Sequence, residues 1–220
     1  MSVLHKPLLE YLLERLSLLK NIPTMIATTT NSTDDVIADY CLQRDTVCFR
    51  GSEQNVLERY YLAATDIQAD PIIRITSDCP LMDPNVILDC LKLYGHEQKY
   101  DYATNCLTRT YPRGLDVEIF SYKALSEAHF NAKLDAEREH VTPYIRTHTE
   151  PQRMANLALV DKDLSDYRLT VDTAEDFELI RRILEELHPN ILNFVLADVE
   201  KILREHPAWL KINQHVQQKV

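Results

Sequence analysis

The sequence predicts one α/β domain organised on a parallel sheet, on three observations. Short apolar, β-branched runs alternate with helical patterns through the first third of the chain, which is the signature of a βαβ series. The third of these runs, around Ile72, Ile73 and Ile75, ends at Thr76-Ser77-Asp78, and Pro80 and Pro84 then break it before the next helical pattern. It reads as a buried parallel strand with a carboxylate, Asp78, at its carboxyl end, where ligands bind in open α/β sheets. Finally, no internal repeat, low-complexity tract or linker interrupts the 220 residues, a length that buries one substantial core.

The elements follow in order. Leu4, Leu8, Leu9, Leu12, Leu13, Leu16 and Leu19, with Glu10, Glu14 and Arg15 between them, predict an amphipathic helix over 4–20. A strand is expected at 24–30, a helix to about Arg44 opened by Asp34 and Asp35, a strand at 46–50, and a helix over 53–68 after Gly51-Ser52. The strand at 71–76 leads to a helix at 85–97 and a strand at 100–105. Residues 115–120 alternate Leu115, Val117 and Ile119 with Asp116 and Glu118, which predicts a strand with one wet face. Helices are expected at 121–131 and 135–149, the second broken by Pro143. Strands are expected at 154–160 and 168–171, a helix from Thr173 to Leu187, and a helical, then polar, extension over 188–220.

Composition excludes several classes. A net charge of −10 and a pI near 5.3 oppose a nucleic-acid or anionic-membrane surface, since both need clustered cations. No apolar run is long enough to span a bilayer and no charged-apolar-small leader opens the sequence, so a cytoplasmic protein is expected. The five cysteines are scattered, without a C-x-x-C pair, and read as reduced thiols. Only three glycines occur, where average usage of about 7% would give roughly fifteen, and none forms a phosphate-wrapping loop.

Two acids share one setting. Asp172 follows the short apolar run Leu169-Thr170-Val171 just as Asp78 follows its own strand, and the pair suits a Mg²⁺ ion, which takes one or two carboxylates plus substrate phosphates. From pattern alone Asp172 reads first as an ordinary helix N-terminal acid, and Asp78 reads as well as a turn aspartate before proline as it does as a metal ligand. Arg109, Arg113, Asp116 and Glu118 surround Gly114, either as a small-molecule pocket or as a solvated hairpin with cross-strand charge pairs. His140, in Glu137-Arg138-Glu139-His140, is a ligand contact or a surface histidine. Asp161-Lys162-Asp163 imitates the D-x-D of metal-dependent glycosyltransferases but reads as a polar turn. Cys79 has no local base that would make it a nucleophile.

Several stretches together resemble the cytidylyltransferase family. They are Lys6-Pro7-Leu8-Leu9-Glu10, Ala27-Thr28-Thr29-Thr30-Asn31, Phe49-Arg50-Gly51-Ser52-Glu53, Arg74-Ile75-Thr76-Ser77-Asp78-Cys79-Pro80-Leu81, Gly114-Leu115-Asp116-Val117-Glu118, Arg138-Glu139-His140-Val141-Thr142-Pro143 and Leu169-Thr170-Val171-Asp172-Thr173. The branch resembled most is the spore-coat polysaccharide biosynthesis protein F type, over residues 6–187. The resemblance implies a nucleotide-diphospho-sugar transferase fold, a three-layer α/β/α sandwich with a mostly parallel sheet. It also implies Mg²⁺-dependent transfer of CMP from CTP to a sugar hydroxyl, of the nonulosonic-acid type, for surface or spore-coat polysaccharide, by a homodimer. By position it implies Asp78 and Asp172 as catalytic, metal-binding acids and Arg74, Thr76 and Ser77 beside the nucleotide. Asn105, Arg109, Asp116, Glu118, Glu139 and His140 would line the sugar side. The family's first strand and its phosphate loop, resembling Arg-x-Gly-Ser-x-Arg-Leu-Pro-x-Lys, have no counterpart before Lys6. That strand would lie centrally, between those at 24–30 and 71–76. A start codon farther upstream, or a shortened paralogue that has lost nucleotide transfer, would account for the difference. Two alternative functions are a non-catalytic sugar- or partner-binding remnant of the fold and a metal-dependent glycosyltransferase.

Overall fold

The computed structural model describes residues 1–96 and 99–217. Leu4 and His5 adopt positive φ (48° and 64°) and turn a small antiparallel hairpin of β1 (Ser2–Val3) and β2 (Lys6–Pro7). The first helix is therefore shorter than its leucine pattern suggests: α1 spans Leu8–Leu16. A parallel pair follows, β3 (Met25–Thr29) and β4 (Val47–Gly51), joined through α2 (Asp35–Gln43). Next come α3 (Val56–Asp66), β5 (Ile72–Arg74), α4 (Pro84–Gly95), β6 (Tyr102–Thr104), β7 (Glu118–Phe120), α5 (Tyr122–Asn131), α6 (Asp135–His140), α7 (Pro143–His148), β8 (Met154–Asn156), α8 (Ala174–Leu187) and α9 (Leu196–Glu205).

The four-stranded sheet has the order β5-β7-β6-β8, with β7 antiparallel to both neighbours and β6 parallel to β8. Successive residues of β6 and β7 face opposite cores, as strand geometry dictates. Ala103 and Ile119 join a core with α1, α4, α8 and α9, whereas Tyr102 and Phe120 join one with α3, α5 and α7. Because helices cover both faces, Glu118 is buried like its neighbours, and of the wet face expected for 115–120 only Asp116 stays partly exposed. The expected strand at 168–171 forms only a bridge between Arg113 and Arg168. The helix expected over 135–149 divides at Val141, whose φ of 70° and ψ of −55° cannot continue it.

The C-terminal segment belongs to the first core. Phe194, Leu196, Val199, Ile202 and Leu203 are buried there. Arg15, 2% exposed, donates from α1 to the carbonyls of Met82 (3.1 Å), Leu192 (2.6 Å) and Phe194 (2.5 Å), and its guanidinium stacks on the Phe194 ring. No described helix is long and apolar enough to cross a membrane.

The two larger sheets do not join. Among the described residues β3 pairs only with β4, and β5 only with β7. The break lies between the strands that, by the resemblance, would flank the family's first strand.

Candidate active site

The first acid, Asp78, lies on the turn after β5, half-buried. Its Oδ2 accepts a 2.7 Å bond from the Thr170 hydroxyl and its Oδ1 one of 3.3 Å from the Cys79 thiol, while its carbonyl accepts from the Val171 amide at 3.0 Å. The residue after Val171 is Asp172. The two acids, remote in sequence, are thus carried on segments stitched directly together. Thr76 bonds the Cys79 sulfur at 3.2 Å, and Ser77 is exposed beside them. Burial and the neighbouring Asp78 drive the Cys79 thiol well above its ordinary pKa, which makes it a poor nucleophile.

Gly114 makes this stitching possible. At φ 96° it approaches the 168–171 segment so closely that a Cβ would lie 2.5 Å from the carbonyl carbon and oxygen of Leu169 and 2.6 Å from the Thr170 nitrogen. The Leu169 amide donates to the Arg113 carbonyl at 2.7 Å and the Arg113 amide to that of Tyr167 at 3.0 Å.

Asp172, with 38% of its side chain exposed, accepts from Arg168 at 2.5 Å. Arg168 also bonds both oxygens of Asp176 (2.9 and 3.0 Å). Asp176 is the N3 residue of a capping box with Thr173 that opens α8. Burial pushes the Asp176 carboxyl up, yet hydrogen bonds from Arg168, Asn213 and the Asp172 amide hold it below its ordinary value. Asn213, 3% exposed, donates to Asp176 (2.8 Å) and to the Arg168 carbonyl (2.9 Å), so the C-terminal segment locks the loop that bears Asp172. The sequence pattern offered no signal for Asn213.

Beside the acids, Arg109 and Asp116 form a two-pronged pair at 2.5 and 2.9 Å. Asn105, fully buried, accepts from the Val117 amide at 3.0 Å and donates to the Leu115 carbonyl at 2.7 Å, fixing the loop that carries Asp116. Glu118 is a buried hub: Oε2 accepts from Arg74 (2.6 Å), and Oε1 from the Tyr102 hydroxyl (2.5 Å) and the Thr142 hydroxyl (2.6 Å). Thr142 also closes a γ-turn, its amide donating to the His140 carbonyl at 2.8 Å across Val141. A positive φ at a β-branched residue is a strained arrangement, maintained here by the buried bond from Thr142 to Glu118. Glu139 and His140 project from this turn, exposed. Asp161-Lys162-Asp163 forms an exposed turn in which Asp163 caps the Ser165 amide and Lys162 pairs with Glu200. No group of three or more His, Cys, Asp or Glu arranged for a metal occurs among the described residues.

Residues 2–202 match the family model described as Cytidylyltransferase. The chain belongs to the cytidylyltransferase family. It is 35% identical over 216 residues to the uncharacterized protein MJ1063 of Methanocaldococcus jannaschii, covering 96% of this chain and 86% of that one. It is 34% identical over 164 residues to the spore coat polysaccharide biosynthesis protein SpsF of Bacillus subtilis, covering 74% and 67% respectively. Among solved structures it superposes on a cytidylyltransferase from Leptospira borgpetersenii with a TM-score of 0.87 at 29% identity, covering 100% of this chain and 90% of that one. The fold is accordingly the layered α/β one of nucleotide-diphospho-sugar transferases, and membership makes this chain a nucleotidyltransferase.

Proposed function

We propose that this cytidylyltransferase transfers CMP from CTP to a hydroxyl of a sugar, of the nonulosonic-acid class, for surface or spore-coat polysaccharide, with Asp78 and Asp172 as ligands of Mg²⁺. The observation that carries this reading is the 3.0 Å bond from Val171 to Asp78, which brings the two acids onto adjoining segments. Their oxygens are the hard donors magnesium prefers. Bound there, the ion would polarise the α-phosphate and offset charge on the triphosphate.

The chain's own groups divide into two kinds in this reading. Ser77, Thr76 and the exposed part of Asp172 face the nucleotide. Arg109 with Asp116, and Glu139 with His140 on the strained turn, face the sugar. Arg74, Glu118 and Asn105 position these segments, since their polar atoms are engaged within the protein. The nearby arginines 74, 109 and 168 are each paired with a carboxylate, which supports a requirement for a metal cation at the phosphates. A homodimer in the cytoplasm completes the reading, and light scattering measures the assembly.

The test is pyrophosphate release from CTP across a panel of keto-sugar acids, with and without Mg²⁺. Release should require CTP and the metal, and fall at least a hundredfold in Asp78→Asn and Asp172→Asn. Full turnover in both variants would remove the site assignment. Sugar binding without any turnover would favour the non-catalytic alternative.

A further inference from the structure

Asn213 is remote in sequence from Asp78 and Asp172, and it lies outside residues 2–202, the stretch that the family model covers. Packing anchors its segment: Trp209, Leu210 and Ile212 lie against the first core, and the Trp209 ring stacks on His206 at 4.2 Å. That anchoring buries Asn213, whose side-chain nitrogen has two protons to place. It donates to Asp176 Oδ1 at 2.8 Å and to the Arg168 carbonyl at 2.9 Å. Asp176, fully buried, is the junction. Its Oδ2 accepts from the amides of Asp172 (3.1 Å) and Thr173 (3.2 Å) and from Arg168 (3.0 Å), and Arg168 also donates to the Asp172 carboxylate at 2.5 Å. Asp172 is thus held through one buried carboxylate at both its amide and its side chain, and Asn213 fixes that carboxylate from its other oxygen.

We propose that Asn213 is a positioning residue for Asp172, setting that acid against Asp78 and so fixing the spacing at which the pair takes a divalent cation. The consequence for the metal rests on the catalytic reading above; the lock itself does not. Without the Asn213 side chain, Asp176 keeps its bonds from the Asp172 and Thr173 amides, so the capping box that opens α8 survives and the change is local. What changes is the balance at Arg168. In the parent its guanidinium is tethered to both oxygens of Asp176 (2.9 and 3.0 Å) and meets Asp172 at Oδ2. Loosening Asp176 and the Arg168 backbone together lets that guanidinium follow Asp172, where a cation competes with the metal for the same carboxylate. Magnesium demands near-ideal octahedral geometry, so a small displacement of one ligand is felt in metal affinity. Asn213 touches neither Thr76 nor Ser77, so CTP binding at saturating metal is left alone.

The test compares the parent, Asn213→Ala and Val199→Ala as whole chains. Val199 is buried in the same C-terminal core but makes no hydrogen bond to the junction, so its truncation loosens packing without touching the lock. Amide exchange without metal or nucleotide should be at least tenfold faster at Val171, Asp172 and Thr173 in Asn213→Ala than in Val199→Ala. Mn²⁺ binding, followed by electron paramagnetic resonance with a non-hydrolysable CTP analogue, should weaken at least tenfold in Asn213→Ala alone. The Mg²⁺ concentration for half-maximal turnover should rise by a similar factor, with KM for CTP at saturating metal within threefold of the parent. If Asn213→Ala does not fold, Asn213→Ser, which keeps one donor, should show the same pattern at threefold or more. Equal exchange at 171–173 in the two variants, or unchanged metal affinity in an active chain, would overturn the proposal, as would a rise in KM for CTP with metal affinity intact. A parent that neither binds Mn²⁺ nor turns over CTP would instead remove the catalytic reading, and the exchange comparison would then decide the role of Asn213 alone.

Discussion

Removing the Glu118 carboxylate tests whether the candidate site stands on a buried hub. Glu118→Ala leaves Arg74, 19% exposed, without its carboxylate, and deprives the fully buried Tyr102 hydroxyl and the Thr142 hydroxyl of their acceptor. Breaking a buried pair by deleting one partner costs about 3–5 kcal/mol, with the lower end appropriate to an arginine that still touches solvent. An orphaned buried hydroxyl adds about 1–3 kcal/mol, less than additively here because the groups are neighbours. The sum is about 4–5 kcal/mol, a large share of the roughly 5–15 kcal/mol that keeps a domain folded. In urea, at an m-value of about 2.5 kcal/mol/M, the midpoint should fall by nearly 2 M, or about 1.8 M. Glu118→Gln retains the acceptor for both hydroxyls and loses only the charge, so about 2 kcal/mol is expected. The double variant Arg74→Met/Glu118→Gln, with no charge left unpaired, should return to within about 1 kcal/mol of the parent. A loss below about 1 kcal/mol in Glu118→Ala, or no coupling between positions 74 and 118 in that cycle, would refute the hub.

Three further outcomes are expected. Gly114→Ala forces a Cβ against the Leu169 and Thr170 backbone at positive φ, so equilibrium unfolding should show a loss of about 2–4 kcal/mol, and turnover should drop further as Thr170 and Asp172 shift. Cys79 should resist iodoacetamide in the native chain at pH 8, and Cys79→Ala should keep most turnover; rapid labelling with loss of activity would show a reactive thiol. Asp176 has a folded pKa below its unfolded value, so its stabilising effect is complete above about pH 4 and is lost as pH falls through the lower folded value. Acid titration of stability should therefore be less steep in Asp176→Asn, which starts from a lower plateau.

The parts of this fold that were legible from sequence are those governed by local periodicity. The β-branched runs at 25–29 and 47–51 and the capped pattern Thr173-Ala174-Glu175-Asp176 appear as β3, β4 and the start of α8. Glu118 was misjudged because alternation only separates two faces. It says nothing about whether α3, α5 and α7 will cover the second one. The leucine stripe from Leu4 onward overstated α1, since periodicity is blind to a φ-positive turn at Leu4 and His5. Asp78 was legible as a strand-end carboxylate, whereas the run before Asp172 forms only a bridge, and the joining of the two segments through Thr170 and Val171 is a tertiary fact. So is the clamp from Asn213, for which a lone asparagine in a polar tail gives no pattern at all.

Charge connects the fold to the chemistry. A chain of net charge −10 offers little attraction to a nucleoside triphosphate, and at physiological salt distant charges are screened beyond about 8 Å, so the local groups decide. Around Asp78 those groups are carboxylates and arginines already matched to them: Arg74 to Glu118, Arg109 to Asp116, Arg168 to Asp172 and Asp176. Such pairing orders the loops, but it spends the cations that would otherwise meet phosphate. Charge compensation for the triphosphate must then come from outside this set. In the proposed reading a divalent ion held by the two acids would supply it where the segments ending in Asp78 and Val171 are joined, so CTP affinity should rise with Mg²⁺ in the parent and lose that dependence in Asp78→Asn.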